Sequence, residues 1–191
     1  MDIPVYHKDV KVYDVKDQDG RHLALFYADF FPRPTKRGGA WMTEFRGQCI
    51  RNGVEERPFI SIVTNFTKPT GSTPSLITHD ELTTLLHEFG HSLHGMLAEG
   101  RYPSLCGTNV ARDFVELPSQ IMENWAFEPE FLDNFAKDYK TGEVIPTELV
   151  NKIVRAKNYL SGYYQVRQLD FGELDMAWHT LGTMTQDSTL E

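Results

Sequence analysis

The chain has 191 residues, 40% of them hydrophobic and 24% charged, a balance ordinary for a soluble globular protein and a length that suits one domain with a useful core. Its net charge of −8 and the lack of any basic block argue against a nucleic-acid partner, and no apolar run approaches the ~18 residues of a membrane span. Met1-Asp2-Ile3-Pro4-Val5-Tyr6 shows neither a charged n-region nor an apolar h-region, so no signal peptide is expected. Cys49 and Cys106 lack metal-like spacing and read as buried thiols compatible with a reducing cytoplasm.

Along the chain, residues 10–15 and 22–31 flank Asp17-Gln18-Asp19-Gly20, which predicts a hairpin. Pro32 and Pro34 end the second strand, and the glycine-containing stretch 36–40 reads as a tight turn. Residues 59–66, rich in Ile, Val, Phe and Thr, predict a further strand. That strand is also a candidate edge for pairing with an extended peptide, with a plain sheet strand as the equal alternative. A Pro/Gly/Ser/Thr loop runs to Thr78.

Beyond it the chain reads as helical. A helix is expected over 80–98, opened by a Thr78–Glu81 capping box and an Ile77–Leu82 staple. Its apolar stripe is Leu82, Leu85, Leu86, Phe89, Leu93 and Leu97. A loop at 100–108 leads to a second helix carrying Glu116, with Pro118 in its opening turns or at a kink. A shorter helix is expected over 129–139. A helical pair over 147–160 and 163–179 follows, interrupted near Gly162. Trp125, Phe127, Phe131 and Trp178 are expected in the core.

The chemistry concentrates in His87-Glu88-Phe89-Gly90-His91, a His-Glu-x-x-His pattern on a helix. His87 and His91 lie about 40° apart round the helix. One metal ion can sit between them at roughly 2.0–2.1 Å from each imidazole nitrogen. Glu88, about 100° from His87, stands off that line but close enough to hold a water on the metal.

A catalytic zinc takes three protein ligands and keeps a position for water. Residues 113–125 offer the best third ligand, Glu116, which shares a face with Gln120 and Glu123. His94 is a rival. It would exclude His87 or stretch across two turns, and a hydrogen-bonding role suits it better. Asp113 fits a helix N-cap better than a ligand. Glu123 either orients a ligand histidine or is a solvated charge.

The run HEFGHSLHG followed by ARDFVELPSQIMENWAFEP resembles the M3 family of zinc metallopeptidases, the family of oligopeptidases and peptidyl-dipeptidases. Supporting stretches are Tyr6-His7-Lys8-Asp9-Val10-Lys11-Val12-Tyr13, Lys36-Arg37-Gly38-Gly39-Ala40-Trp41-Met42, Asn65-Phe66-Thr67-Lys68-Pro69 and Leu174-Asp175-Met176-Ala177-Trp178-His179. The resemblance covers almost the whole chain and implies one zinc ion held by His87, His91 and Glu116, with Glu88 as the catalytic carboxylate. It implies hydrolysis of short peptides, with release of C-terminal dipeptides. Family members are several times longer, and their Gly/Tyr-rich substrate-facing loop lies further towards the C-terminus. Gly162-Tyr163-Tyr164 precedes the 174–179 motif and is not equated with that loop.

The expectation is therefore a partial catalytic domain spanning 1–191, with sheet and loops over 1–78 and the helical zinc-binding part over 79–191. Its fold class is α+β, a zincin-like helical core beside a small, largely antiparallel sheet. The remainder of a parent enzyme would be its partner. The alternative is a zinc-binding fragment with little activity of its own.

Overall fold

A computed structural model describes residues 3–182; the closing stretch after Gly182 lies outside them. The chain divides into two compact units, Met1–Ile145 and Pro146–Glu191. Each is described by itself.

The first unit carries six strands and three short or medium helices. β1 (Lys11–Lys16) and β2 (His22–Asp29) form the expected hairpin. Asp17 closes its turn by accepting the backbone N–H groups of Asp19 and Arg21 at 3.0 and 2.9 Å, with Gly20 at φ +82°. β3 (Trp41–Arg46), β4 (Cys49–Arg51), β5 (Val54–Glu56) and β6 (Phe59–Val63) follow. The main sheet has the order β1-β2-β6-β3. β6 runs parallel to β2 and antiparallel to β3, so the sheet is mixed.

β6 is thus an interior strand. Its backbone groups are paired on both sides, which removes it as an edge for an extended peptide. The two edges of the sheet are β1 and β3, and β3 is the one on the far side of β6.

α1 (His79–Met96) packs on one face of this sheet. The capping box is present: Thr78 accepts from the Glu81 backbone N–H, and Glu81 accepts from that of Thr78 at 2.7 Å. Leu82, Leu86 and Met96 are buried, while Leu97 is exposed. Phe89, Leu93 and Met42 close over a core of Ala24, Ile60 and Met96. Arg57 ties the end of α1 to the sheet. It donates to the carbonyls of Met96 and Ala98 at 2.9 and 3.0 Å and to that of Leu23 at 2.7 Å.

α2 (Leu117–Glu123) opens with Pro118 in its first turn, and its N-cap is Glu116 rather than Asp113. Proline suits that position because its missing N–H would be unpaired there anyway. The helix expected over 129–139 shrinks to α3 (Pro129–Leu132). Turns and a single bridge between Lys137 and Val144 replace the rest.

The second unit holds α4 (Thr147–Lys157) and α5 (Ser161–His179). Their interruption falls at Leu160, which is left-handed at φ 55°, and Gly162 lies within the first turn of α5. Trp125 and Trp178 are exposed rather than core, and Phe127 and Phe131 are half-buried. Among the described residues no helix is long and apolar enough to cross a membrane.

Candidate metal centre

His87 and His91 project from one face of α1, their rings 4.9 Å apart and nearly perpendicular. Glu116 meets them from the start of α2. Its Oε2 stands 3.3 Å from His87 Nε2 and 3.1 Å from His91 Nε2. Ligand atoms around a tetrahedral ion at ~2.0 Å are about 3.3 Å apart. Both Glu116–histidine spacings match that figure, and the three ligand atoms lie within 4.8 Å of one another, a group of potential metal ligands among the described residues.

Two further side chains hold these groups. Ser119, fully buried, donates its hydroxyl to Glu116 Oε2 at 2.7 Å. That hydroxyl, with His91 and His87 nearby, keeps the Glu116 carboxyl below the usual carboxylate range. Glu123, one turn further along α2, lies 2.6 Å from His87 Nδ1. A proton on Nδ1 shared with Glu123 leaves the Nε2 lone pair facing Glu116 and His91. Of the two roles open to Glu123, the geometry matches that of a histidine-orienting carboxylate.

The close approach of α2 to α1 depends on Gly90. A Cβ there would lie 2.4 Å from the Pro118 carbonyl oxygen and 2.6 Å from Ser119 Cα. The short distance lets a carboxylate at the N-cap of α2 reach the imidazoles of α1.

Glu88 is 8% exposed. Burial pushes its carboxyl above the usual range, while His87, His91 and the Met42 backbone N–H pull the other way. The buried Glu88 carboxyl thus lies between the Met42 backbone N–H and the two imidazoles, and burial is the largest influence on it.

His94 stays outside the group. Its ring packs against Phe114 at 6.2 Å, and burial together with the neighbouring His91 holds its pKa below the ordinary histidine value. Its Nδ1 is buried without a hydrogen-bond partner, so the hydrogen-bonding role expected for it is not seen at that atom. Asp113 lies in the turn before Glu116 and is exposed. Ser119 and Met42 were not singled out from the sequence. The Glu-x-x-Ser spacing at a helix start was the available signal for Ser119.

The sequence pattern of Peptidase family M3 matches residues 1–191. The chain is 47% identical over 181 residues to dipeptidyl carboxypeptidase of Salmonella typhimurium, an alignment covering 95% of this chain and 26% of that protein. It is 43% identical over 180 residues to oligopeptidase A of Escherichia coli, covering 93% and 26%. It is 38% identical over 187 residues to a thimet-like oligopeptidase of Dictyostelium discoideum, covering 94% and 28%. The chain spans about a quarter of the length of these curated relatives.

Proposed function

The chain belongs to peptidase family M3, and on that footing we propose that it supplies the zinc-binding, water-activating part of a zincin-like metallopeptidase acting on short peptides. The observation that carries this reading is the meeting of His87 Nε2 and His91 Nε2 on one oxygen of Glu116, with Glu88 buried beside them.

His87, His91 and Glu116 would hold one zinc ion, a donor set that leaves a position for water. Bound there, zinc would polarise the scissile carbonyl and lower the pKa of water to roughly 7. Glu88 takes the proton released as water attacks, then gives it to the departing amine. Its raised pKa suits both halves of that shuttle, because a carboxyl moved toward neutral accepts and releases a proton more evenly. Glu123 and Ser119 fix His87 and Glu116 so that the ligand atoms need not reorganise.

Release of C-terminal dipeptides is the finer proposal, and it rests on the name of the dipeptidyl carboxypeptidase relative. Free, buried Cys49 and Cys106 suit a reducing cytoplasm. The share of the relatives' length that is covered favours a second reading, in which this chain binds zinc with little activity by itself. Peptide cleavage with and without chelator, by this chain and by a full-length dipeptidyl carboxypeptidase as the control, separates the two.

The decisive variant is Glu88→Gln. It retains zinc, since Glu88 is not among the ligands, and loses about 10²–10⁴-fold in cleavage rate. Cleavage by Glu88→Gln at the parent rate contradicts the assignment.

A further inference from the structure

β3 is the edge strand beside Glu88, and its side chains alternate about the sheet. Phe45 packs on Tyr27 on one side, with ring centroids 5.4 Å apart. Met42 and Glu44 face α1 on the other. A Cβ on Gly95 would stand 3.0 Å from Met42 Cε and 3.2 Å from Glu44 Oε1.

The Glu44 carboxyl occupies a cradle of three glycines. Besides Gly95, a Cβ on Gly47 would come within 3.0 Å of Oε2, and one on Gly107 within 2.9 Å of Oε1. Its cross-strand partner is Ile60, which is fully buried. In this half-buried setting the carboxyl has no hydrogen-bond or ion-pair partner among the described residues, and burial alone pushes its pKa up. Withdrawing a carboxylate from water without a counter-charge is unfavourable. With glycine at all three positions the backbone packs directly against the carboxyl, and the described residues supply it no counter-charge.

Its place relative to the metal centre follows from two landmarks. Met42, two residues earlier on the strand, brings its backbone N–H to Glu88. Gly95, four residues after His91, lies one helical turn further along the same face of α1. Glu44 therefore sits one side-chain repeat along β3 and one turn along α1 from the reacting position. In an extended peptide laid along the β3 edge, side chains on one face recur every ~7 Å. A peptide with its scissile carbonyl at the metal centre then sets the side chain two residues away over Glu44.

We propose that Glu44 is a specificity-determining residue that receives a basic side chain, lysine or arginine, two residues from the scissile bond. The inference rests on the metallopeptidase reading. The incoming ammonium or guanidinium supplies the counter-charge the glycine cradle lacks, and a substrate with an apolar side chain there leaves the carboxyl unpaired.

The test measures binding to the zinc-loaded protein of peptide hydroxamates, whose hydroxamate group takes the zinc. Two series are needed, one extending to the N-terminal side of the hydroxamate and one to the C-terminal side. Each compares lysine with norleucine at the second residue. In one series lysine binds about tenfold tighter. Glu44→Gln, which keeps the shape and removes the charge, brings that ratio to about one and leaves the norleucine affinity unchanged. No lysine preference in either series, or the same preference in Glu44→Gln, overturns the inference while hydroxamate binding keeps the zinc reading. If none of the probes binds the zinc-loaded protein, the metallopeptidase reading itself falls, and this inference with it.

Discussion

Gly90 and Pro118 touch so closely that a single added carbon on Gly90 would stand 2.4 Å from the Pro118 carbonyl oxygen. The contact joins α1 to α2 and so sets where Glu116 meets His87 and His91. In Gly90→Ala, helix propensity within α1 improves, but α2 must move away. The expected outcome is a folded protein with zinc affinity weakened by about tenfold or more, because the carboxylate is drawn from its two imidazoles. Zinc competition with a chromophoric chelator checks this; unchanged affinity would mean that α2 relaxes without shifting Glu116.

Glu123→Gln isolates the orienting role. The amide keeps the size of the carboxyl beside His87 Nδ1, 2.6 Å away, but loses its charge. Zinc affinity is expected to fall about 10–100-fold, with the thermal midpoint of the metal-free protein little changed. A large drop in that midpoint with intact affinity would assign Glu123 to stability instead.

Much of this centre was legible because its spacing is local. His87, Glu88 and His91 lie within one and a half turns of a helix whose capping box is written in Thr78 and Glu81. The β1–β2 hairpin was equally readable from Asp17 to Gly20. β3 was not legible, because Trp41-Met42-Thr43-Glu44 breaks the apolar–polar alternation of a half-buried strand and Pro32, Pro34, Gly38 and Gly39 just before it signal loop. The β4–β5 hairpin was missed despite Asn52-Gly53, both at positive φ, the strongest short hairpin signal. The interior place of β6 was not legible at all, since strand order depends on long-range pairing. Trp125 and Trp178 failed as core predictions because aromatic character states a preference for burial, not what is there to bury against.

Asp29 predicts an acid-sensitive fold. It is 1% exposed. Arg33 grips both its oxygens at 2.8 Å, Lys36 reaches Oδ1 at 2.9 Å, and the Tyr6 hydroxyl donates to Oδ2 at 3.0 Å. Burial alone would raise its pKa, but Arg33, Lys36 and Tyr6 outweigh it and hold the carboxyl below the ordinary value of 3.8. Because the folded pKa lies below the unfolded one, the stabilisation is fully present above that value and is lost as pH falls through the folded pKa. Asp29→Ala leaves Lys36 buried without its carboxylate and is expected to destabilise by about 3–5 kcal/mol. Denaturant unfolding against pH, for the parent and the variant, checks both statements. A stability gap that does not narrow in acid would contradict them.

The most direct test of the metal centre is zinc content by elemental analysis of the purified protein beside Glu116→Ala. The parent is expected to hold about one zinc per chain, and the variant, left with two imidazoles, to lose it on dialysis against a mild chelator. Equal retention of zinc by parent and variant, or a parent that takes up no zinc, would contradict the assignment of His87, His91 and Glu116.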